Sequence, residues 1–243
     1  MNLHLLPDRT GAAAENMALD FLLLQRYPHP AVRFRHYDWR RPAFTFGYSQ
    51  KIAFVRAQVA ALAGDPAAMD LCRRPTGGGV VDHREDWTYA LVIPRGHRLE
   101  EVPAVQSYRA IHEALAAALR GQGVAAEAKA AADPEPVDGA APAAPGVCFQ
   151  KAELYDVINP ATGAKIAGAA QKRNKHGLLF QGSIWRPAAG AGVDWDRFRE
   201  DFGAALAAAL AVEAEPVPWP ELAEHEVDGL TEQYATPEWN ESR

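Results

Sequence analysis

Between residues 153 and 185 this chain alternates short apolar runs with compact turns, and that spacing limits its fold more than any other feature. Residues 153–158 read as a strand, Asn159-Pro160-Ala161-Thr162-Gly163 is turn chemistry, residues 165–172 return, and residues 173–177 turn again into a strand over 178–185. Connections this short leave no room for a crossover helix, so the pattern favours an antiparallel or mixed sheet over a doubly wound parallel one. Helical periodicity lies on either side. Residues 12–27 carry Met17, Leu19, Phe21, Leu22, Leu23 and Leu24 among polar positions, and residues 194–212 place Phe198, Phe202, Leu206 and Leu210 at i, i+4 spacing. A short helix is expected over 55–63, and a longer one over 107–121 with a serine cap and a terminal glycine.

Upstream, residues 32–39 alternate as a strand, and the aromatic-rich residues 43–48 follow after Arg40-Arg41-Pro42. Three further strands, over 69–74, 80–82 and 87–93, surround Arg73-Arg74-Pro75-Thr76-Gly77-Gly78-Gly79-Val80-Val81-Asp82-His83. Triple glycine admits positive φ and brings main-chain N–H groups close to a ligand, and the two arginines suit an anionic or acyl carbonyl group. Taken alone, the same glycines also read as a flexible hairpin loop. Lys165-Ile166-Ala167-Gly168-Ala169-Ala170-Gln171 adds a strand of small residues opened by a lysine, leaving room for a ligand against its face. Residues 125–146 are rich in alanine, proline and acidic residues and read as a mobile surface excursion, and the tail to Arg243 reads as a short helix with a partly ordered end.

The chain has 243 residues, 48% hydrophobic and 23% charged, enough for one domain with a sizeable core. A formal net charge of -6 argues against non-specific nucleic-acid binding and against an anionic membrane surface. No run of about 18 apolar residues occurs, and the N-terminal residues lack the pattern of a signal peptide, so a cytoplasmic location is expected. Cys72 and Cys148 are too few for a disulfide framework and lack metal-ligand spacing. No H-E-x-x-H, Walker loop, G-x-S-x-G or dinucleotide fingerprint is present, which sets zinc peptidases, P-loop enzymes and common hydrolases aside.

Several groups could carry chemistry. Lys165 could reach over the sheet toward the glycine loop and hold an anion, or stand as a solvated edge lysine. Cys148 follows the proline-rich stretch, and a nearby ammonium would raise its thiolate fraction, whereas Cys72 sits within an apolar strand and reads as packing. His83 follows the loop closely enough to face a ligand, and Asp156 lies where it could orient Lys165. Thr76 and Ser183 offer hydroxyl donors.

These segments together resemble the lipoate-protein ligase and octanoyltransferase family, related in fold to biotin-protein ligase. The resemblance rests on Glu15-Asn16-Met17-Ala18-Leu19-Asp20, on residues 42–50, on the arginine-glycine loop, on the Lys165 strand and on Gln181-Gly182-Ser183, in the family's order from about residue 12 to 186. It implies an α/β (α+β) fold with a mixed, largely antiparallel central sheet flanked by helices, one catalytic domain over 1–243, and a tunnel for an eight-carbon acyl chain. It implies catalytic roles for Cys148 and Lys165. Arg73, Arg74, Thr76, Gly77, Gly78, Gly79, Val80, His83, Asp156, Gly168, Ala169, Ala170 and Gln181 would bind substrate, with no metal site.

Two chemistries follow from the resemblance. A transferase takes octanoate from octanoyl-acyl carrier protein onto a cysteine and passes it to a lysine of a lipoyl domain, on a 2-oxoacid dehydrogenase subunit or the glycine-cleavage H protein, without cofactor. A ligase activates free lipoate with ATP and magnesium to lipoyl-AMP before the same lysine attacks. Cys148-Phe149 stands where the cysteine-dependent transferases carry their nucleophile, and the chain ends without the extra C-terminal domain of many ligases; both favour transfer. Gly79 favours the ligase, because transferases of this branch often place a bulky residue there, and Gln181 replaces the histidine usual in ligases. A non-catalytic acyl-binding or carrier-domain-binding protein is a third reading.

Overall fold

A computed structural model describes residues 1–131 and 151–242. In chain order the elements begin with β1 (Leu3–Leu5), β2 (Arg9–Gly11), α1 (Ala13–Gln25), β3 (Val32–Trp39), β4 (Ala43–Phe46), α2 (Ile52–Ala63), β5 (Asp70–Arg73), β6 (Val80–Asp82) and β7 (Asp86–Pro94). There follow α3 (Arg98–Glu101), α4 (Ala104–Gly121), β8 (Glu127–Ala128), β9 (Val157–Ile158), β10 (Lys165–Asn174), β11 (Gly177–Trp185), α5 (Arg186–Ala189), α6 (Trp195–Leu210), β12 (Ala214–Pro216), α7 (Glu224–Ala235) and α8 (Pro237–Asn240).

The main sheet runs β12-β1-β3-β7-β11-β10-β9-β8, with β2 beside β3. Its pairs from β3 through β7, β11, β10 and β9 to β8 are antiparallel, while β1 lies parallel to β3 and β12. The mixed, largely antiparallel sheet is therefore the one the turn spacing called for. One face packs on α4 and α6 through Ile111, Leu115, Leu119, Phe198, Phe202, Leu206 and Leu210, all buried against Phe34, Trp87, Tyr89 and Phe180. Each such side chain contributes roughly 1.5–3 kcal/mol by leaving water. The opposite face carries α1 through Met17, Ala18, Leu23 and Leu24, with Tyr234 of α7 alongside.

Several expectations need correction. Residues 73–83 do not form a hairpin: β5 and β6 never pair with each other but flank β4, parallel and antiparallel respectively, in a second sheet of order β5-β4-β6. The connection 40–42 likewise carries the chain from one sheet to the other. The strand expected over 153–158 keeps only Val157–Ile158, because Tyr155 turns the backbone at φ 66°. Ser107 is not a helix cap; Pro103 holds the N-cap position, and the Ser107 hydroxyl donates to Ala104 O and Gln171 Oε1. The excursion expected at 125–146 begins inside the sheet, where Glu127 and Ala128 pair with Ile158 and Val157, and residues 132–150 lie outside the described ones. The tail is not loose: α7 and α8 dock on α1 and β5, burying Tyr234. Among the described residues no helix is long and apolar enough to cross a membrane.

Candidate active site

A cavity of about 50 Å³, room for some three to five waters, lies between the α1 face of the main sheet and the small sheet. Its floor is set by register. Gly168 pairs with Ser183, Ser183 with Thr88 and Thr88 with Tyr37, while Ala170, Gln181, Ala90 and Arg35 form a parallel row two residues on. Side chains two apart share a face, so both rows point the same way. The slot crosses β10, β11, β7 and β3, three inter-strand spacings or about 14 Å. Small residues on β10 keep one end open, Trp39 and His83 close the other, and Met17, Thr45, Arg74, Gly78 and Val81 wall the sides.

Lys165 stands at the β10 end. Its Nζ lies 2.6 Å from Asp156 Oδ2, with side-chain exposures of 8% and 2%, and Asp156 Oδ2 also accepts from Glu153 N at 2.7 Å. The lysine chain lies flat across Gly168, where a Cβ would sit 2.8 Å from Lys165 Cε and Nζ and 2.9 Å from Asp156 Oδ1. Only a glycine at 168 leaves that space.

The glycine loop is held by its carbonyls. Arg74 Nη2 donates to Gly77 O at 2.8 Å and Gly79 O at 3.0 Å, Gln50 Nε2 to Gly78 O at 3.3 Å, and Gly47 N to Gly79 O at 3.3 Å. The N–H groups of Gly77, Gly78 and Gly79 donate to no group among the described residues. Gly78 takes φ 88°, a left-handed value that costs glycine nothing. Gly47 lets the loop approach, since a Cβ there would lie 2.0 Å from Gly78 O.

Two buried polar chains fix this wall. In one, Thr76 Oγ1 donates to Gln181 Oε1 at 2.8 Å, and Gln181 Nε2 donates to Asp20 Oδ2 at 2.7 Å, which also takes Tyr37 OH at 3.0 Å. Arg35 pairs with Asp20 Oδ1 at 2.6 Å. Burial lifts the Asp20 carboxyl above its usual range, with Arg35, Gln181 and Tyr37 drawing it back. In the other chain, Arg74 Nη1 donates to Thr45 Oγ1, which sits 2.7 Å from His83 Nε2, and His83 Nδ1 lies 2.7 Å from Asp86 Oδ2. Asp86 Oδ2 also accepts from Thr88 and Ser183, and Trp39 stacks on His83 at 4.1 Å.

Of the residues expected to bind substrate, Arg74, Gly78, His83, Gly168, Ala169, Ala170 and Gln181 line the cavity together with Lys165 and Ser183. Asp156, Thr76, Gly77 and Gly79 stand one layer behind, as partners of lining groups. Arg73 and Val80 do not face the cavity. Arg73 is turned to the C-terminal segment, and Val80 is buried with Phe44, Phe46, Val55 and Val59 under the small sheet, since neighbours on a strand point to opposite faces. Cys148 lies outside the described residues. Burial pushes the Cys72 thiol up to about 12, in keeping with the packing role expected of it. Trp39, Thr45, Met17, Tyr37 and Thr88 were not anticipated. The alternation over 32–39 does put Tyr37 and Trp39 on one face, but only the docking of the small sheet makes that face a site.

The description "Lipoyl protein ligase A/B catalytic domain" matches residues 12–187. The chain belongs to that family. Relatives include an octanoyltransferase LipM of Geobacillus kaustophilus, 34% identical over 176 residues that cover 70% of this chain and 60% of the relative. Another, from Kyrpidia tusciae, is 28% identical over 266 aligned positions covering 95% of each. The chain thus spans about 60% of the length of the first of these curated relatives. Solved lipoyl-ligase folds are similar throughout. Lipoate-protein ligase A bound with ATP superposes with a TM-score of 0.69 at 20% identity, covering 99% of both chains. The bi-partite lipoate protein ligase of Thermoplasma acidophilum gives 0.67 at 20%, covering 99% of this chain and 96% of that one. The glycine loop, the Lys165 strand and Gln181 all fall inside the matched segment.

Proposed function

We propose that this chain is an octanoyltransferase of protein lipoylation, moving an eight-carbon acyl group from an acyl carrier protein to a lysine of a lipoyl domain through a thioester on Cys148. The observation that carries the reading is the arrangement at one end of the slot. Gly78 belongs to one wall, with Gly77 and Gly79 beside it and all three amides without an acceptor among the described residues, and a paired ammonium belongs to the other, where a carbonyl oxygen would gain charge. An eight-carbon chain, about 10 Å when extended with C–C bonds of about 1.5 Å, matches the 14 Å crossing of the four strands in length, and the cavity of about 50 Å³ would have to widen to admit it. Relatives named octanoyltransferase support the same reading.

In the first half-reaction the Cys148 thiolate attacks the thioester carbonyl. The new S–C bond pushes an electron pair onto the oxygen, which Lys165 and the loop amides hold, and collapse expels the carrier thiolate. In the second, a neutral lysine amine of the acceptor attacks the same carbonyl, the C–S bond breaks so that Cys148 leaves as thiolate, and the proton lost by the amine passes to water. Asp156 keeps the Lys165 ammonium in place through both steps.

The bare loop also suits a second reading, a lipoate ligase acting through lipoyl-AMP, because three amides without a side chain would cradle a phosphate as well as an oxyanion. Among the described residues no three His, Cys, Asp or Glu side chains gather to hold a metal. Acylation of a lipoyl domain distinguishes the two. Transfer from octanoyl-acyl carrier protein without nucleotide, lost in Cys148→Ala, supports the transferase. Modification that needs lipoate and ATP and survives Cys148→Ala supports the ligase instead.

A further inference from the structure

The C-terminal segment reaches the glycine loop from outside the matched family domain, which ends at residue 187. Arg73 closes β5, an edge strand of the small sheet, and an edge exposes main-chain groups that something must satisfy. Side chains of the tail do so. Arg73 N donates to Asn240 Oδ1 at 2.7 Å, and Trp239 Nε1 donates to Arg73 O at 2.8 Å.

The guanidinium extends the clamp. Its Nε donates to Trp239 O at 3.0 Å and its Nη2 to Asn240 O at 2.8 Å. Its Nη1 donates to Tyr48 O at 2.7 Å and Gln50 O at 2.8 Å. Tyr48 N in turn donates to Thr76 O and the Gln50 side chain to Gly78 O, so three chain segments meet at one arginine. Asn240 is itself fixed, its Nδ2 donating to Tyr234 O at 2.8 Å and Thr236 O at 3.1 Å. Trp239 packs edge-on against Tyr234 and beside Tyr48.

Three successive glycines lose more backbone freedom on ordering than any other tripeptide, so their position depends on Arg74, Gly47 and Gln50, which bind their carbonyls, and on what holds those partners and the flanks. We propose that Trp239 and Asn240 are positioning residues, which act through Arg73 to hold the Gly77–Gly79 amides at the right height above the slot. The reaction they serve rests on the octanoyltransferase reading; the holding of the loop does not.

The test uses the full chain with Trp239→Phe, which removes the indole hydrogen bond to Arg73 O and keeps an aromatic ring, and Asn240→Leu, which removes the acceptor for Arg73 N and the two Nδ2 bonds that fix residue 240. Turnover with octanoyl-acyl carrier protein and a lipoyl domain is measured with thermal melting and backbone ¹⁵N relaxation at Gly77–Gly79. The expected result for Trp239→Phe and Asn240→Leu is a folded protein whose kcat falls about 10- to 100-fold at unchanged KM for the lipoyl domain. Their loop order parameters should drop from about 0.85 toward 0.6. Wild-type kcat and wild-type order parameters in both variants overturn the proposal. If the wild type itself transfers no octanoate, the octanoyltransferase reading fails, and the order parameters alone decide the positioning role.

Discussion

Gly168→Ala separates stability from activity. The new Cβ would stand 2.8 Å from Lys165 Cε and Nζ and 2.9 Å from Asp156 Oδ1, well inside van der Waals contact. The three nearest atoms all belong to side chains, so the cheapest response is rotation of the lysine chain, with the ammonium displaced but still within reach of Asp156. Loss of stability should then stay near 1 kcal/mol, or about 2–4 °C in Tm for a chain of this size. The chemistry should suffer far more. Removing one oxyanion donor lowers kcat by about 100-fold, equivalent to about 2.7 kcal/mol of transition-state stabilisation. Transfer of octanoate to a lipoyl domain, followed by intact mass alongside a melting curve, reads both quantities. A variant within about threefold of wild-type kcat, with Tm unchanged, would refute the placement of Lys165 at the reacting carbonyl.

Further expectations concern the buried groups around the site. Gln181→Leu leaves Thr76 and Asp20 each short of a partner and should cost about 1–3 kcal/mol, while Gln181→Glu sets a second carboxylate against Asp20 and should cost more; urea midpoints rank the two, and the reverse order would contradict the network. Burial pushes His112 down to about 4, so it stays neutral in the folded protein while an unfolded imidazole takes a proton near pH 6.5. The unfolded state therefore binds more protons between those values, and stability should fall by up to about 3 kcal/mol as pH drops from 6.5 toward 4. His112→Gln should flatten that part of the stability-pH curve, and an unchanged slope would show that other groups set it. Cys72 should resist alkylation in the native protein at neutral pH and react only on unfolding, because burial holds its thiol protonated; peptide mapping after iodoacetamide shows whether it does.

The parts legible in the sequence are those governed by local periodicity. The strand at 32–39 and the hairpin from Lys165 to Trp185 follow from alternation and turn residues, and α6 from its i, i+4 phenylalanines and leucines. Small residues on β10 announced a surface kept clear for a ligand, and that surface is the cavity floor. Pairing between distant strands was not legible. Nothing in residues 70–82 reveals that β4 inserts between β5 and β6, so a hairpin stayed open beside the ligand-loop reading when the loop is the rim of a second sheet. The same gap misassigned Arg73. Two adjacent arginines look equivalent in sequence, yet they point to opposite sides, Arg74 to the loop carbonyls and Arg73 to Trp239 and Asn240. Thr45 and Trp39 join the site through long-range partners, among them His83 and Thr88, 38 and 49 residues away along the chain.

Whether Cys148 carries the acyl group is the central question, and intact mass answers it directly. Incubation with octanoyl-acyl carrier protein, without nucleotide and without an acceptor, should leave one octanoyl adduct per chain that hydroxylamine removes and Cys148→Ala never forms. No adduct on the wild-type chain, together with lipoate-dependent exchange between ATP and pyrophosphate, would contradict the account and assign the same loop and lysine to an acyl-adenylate.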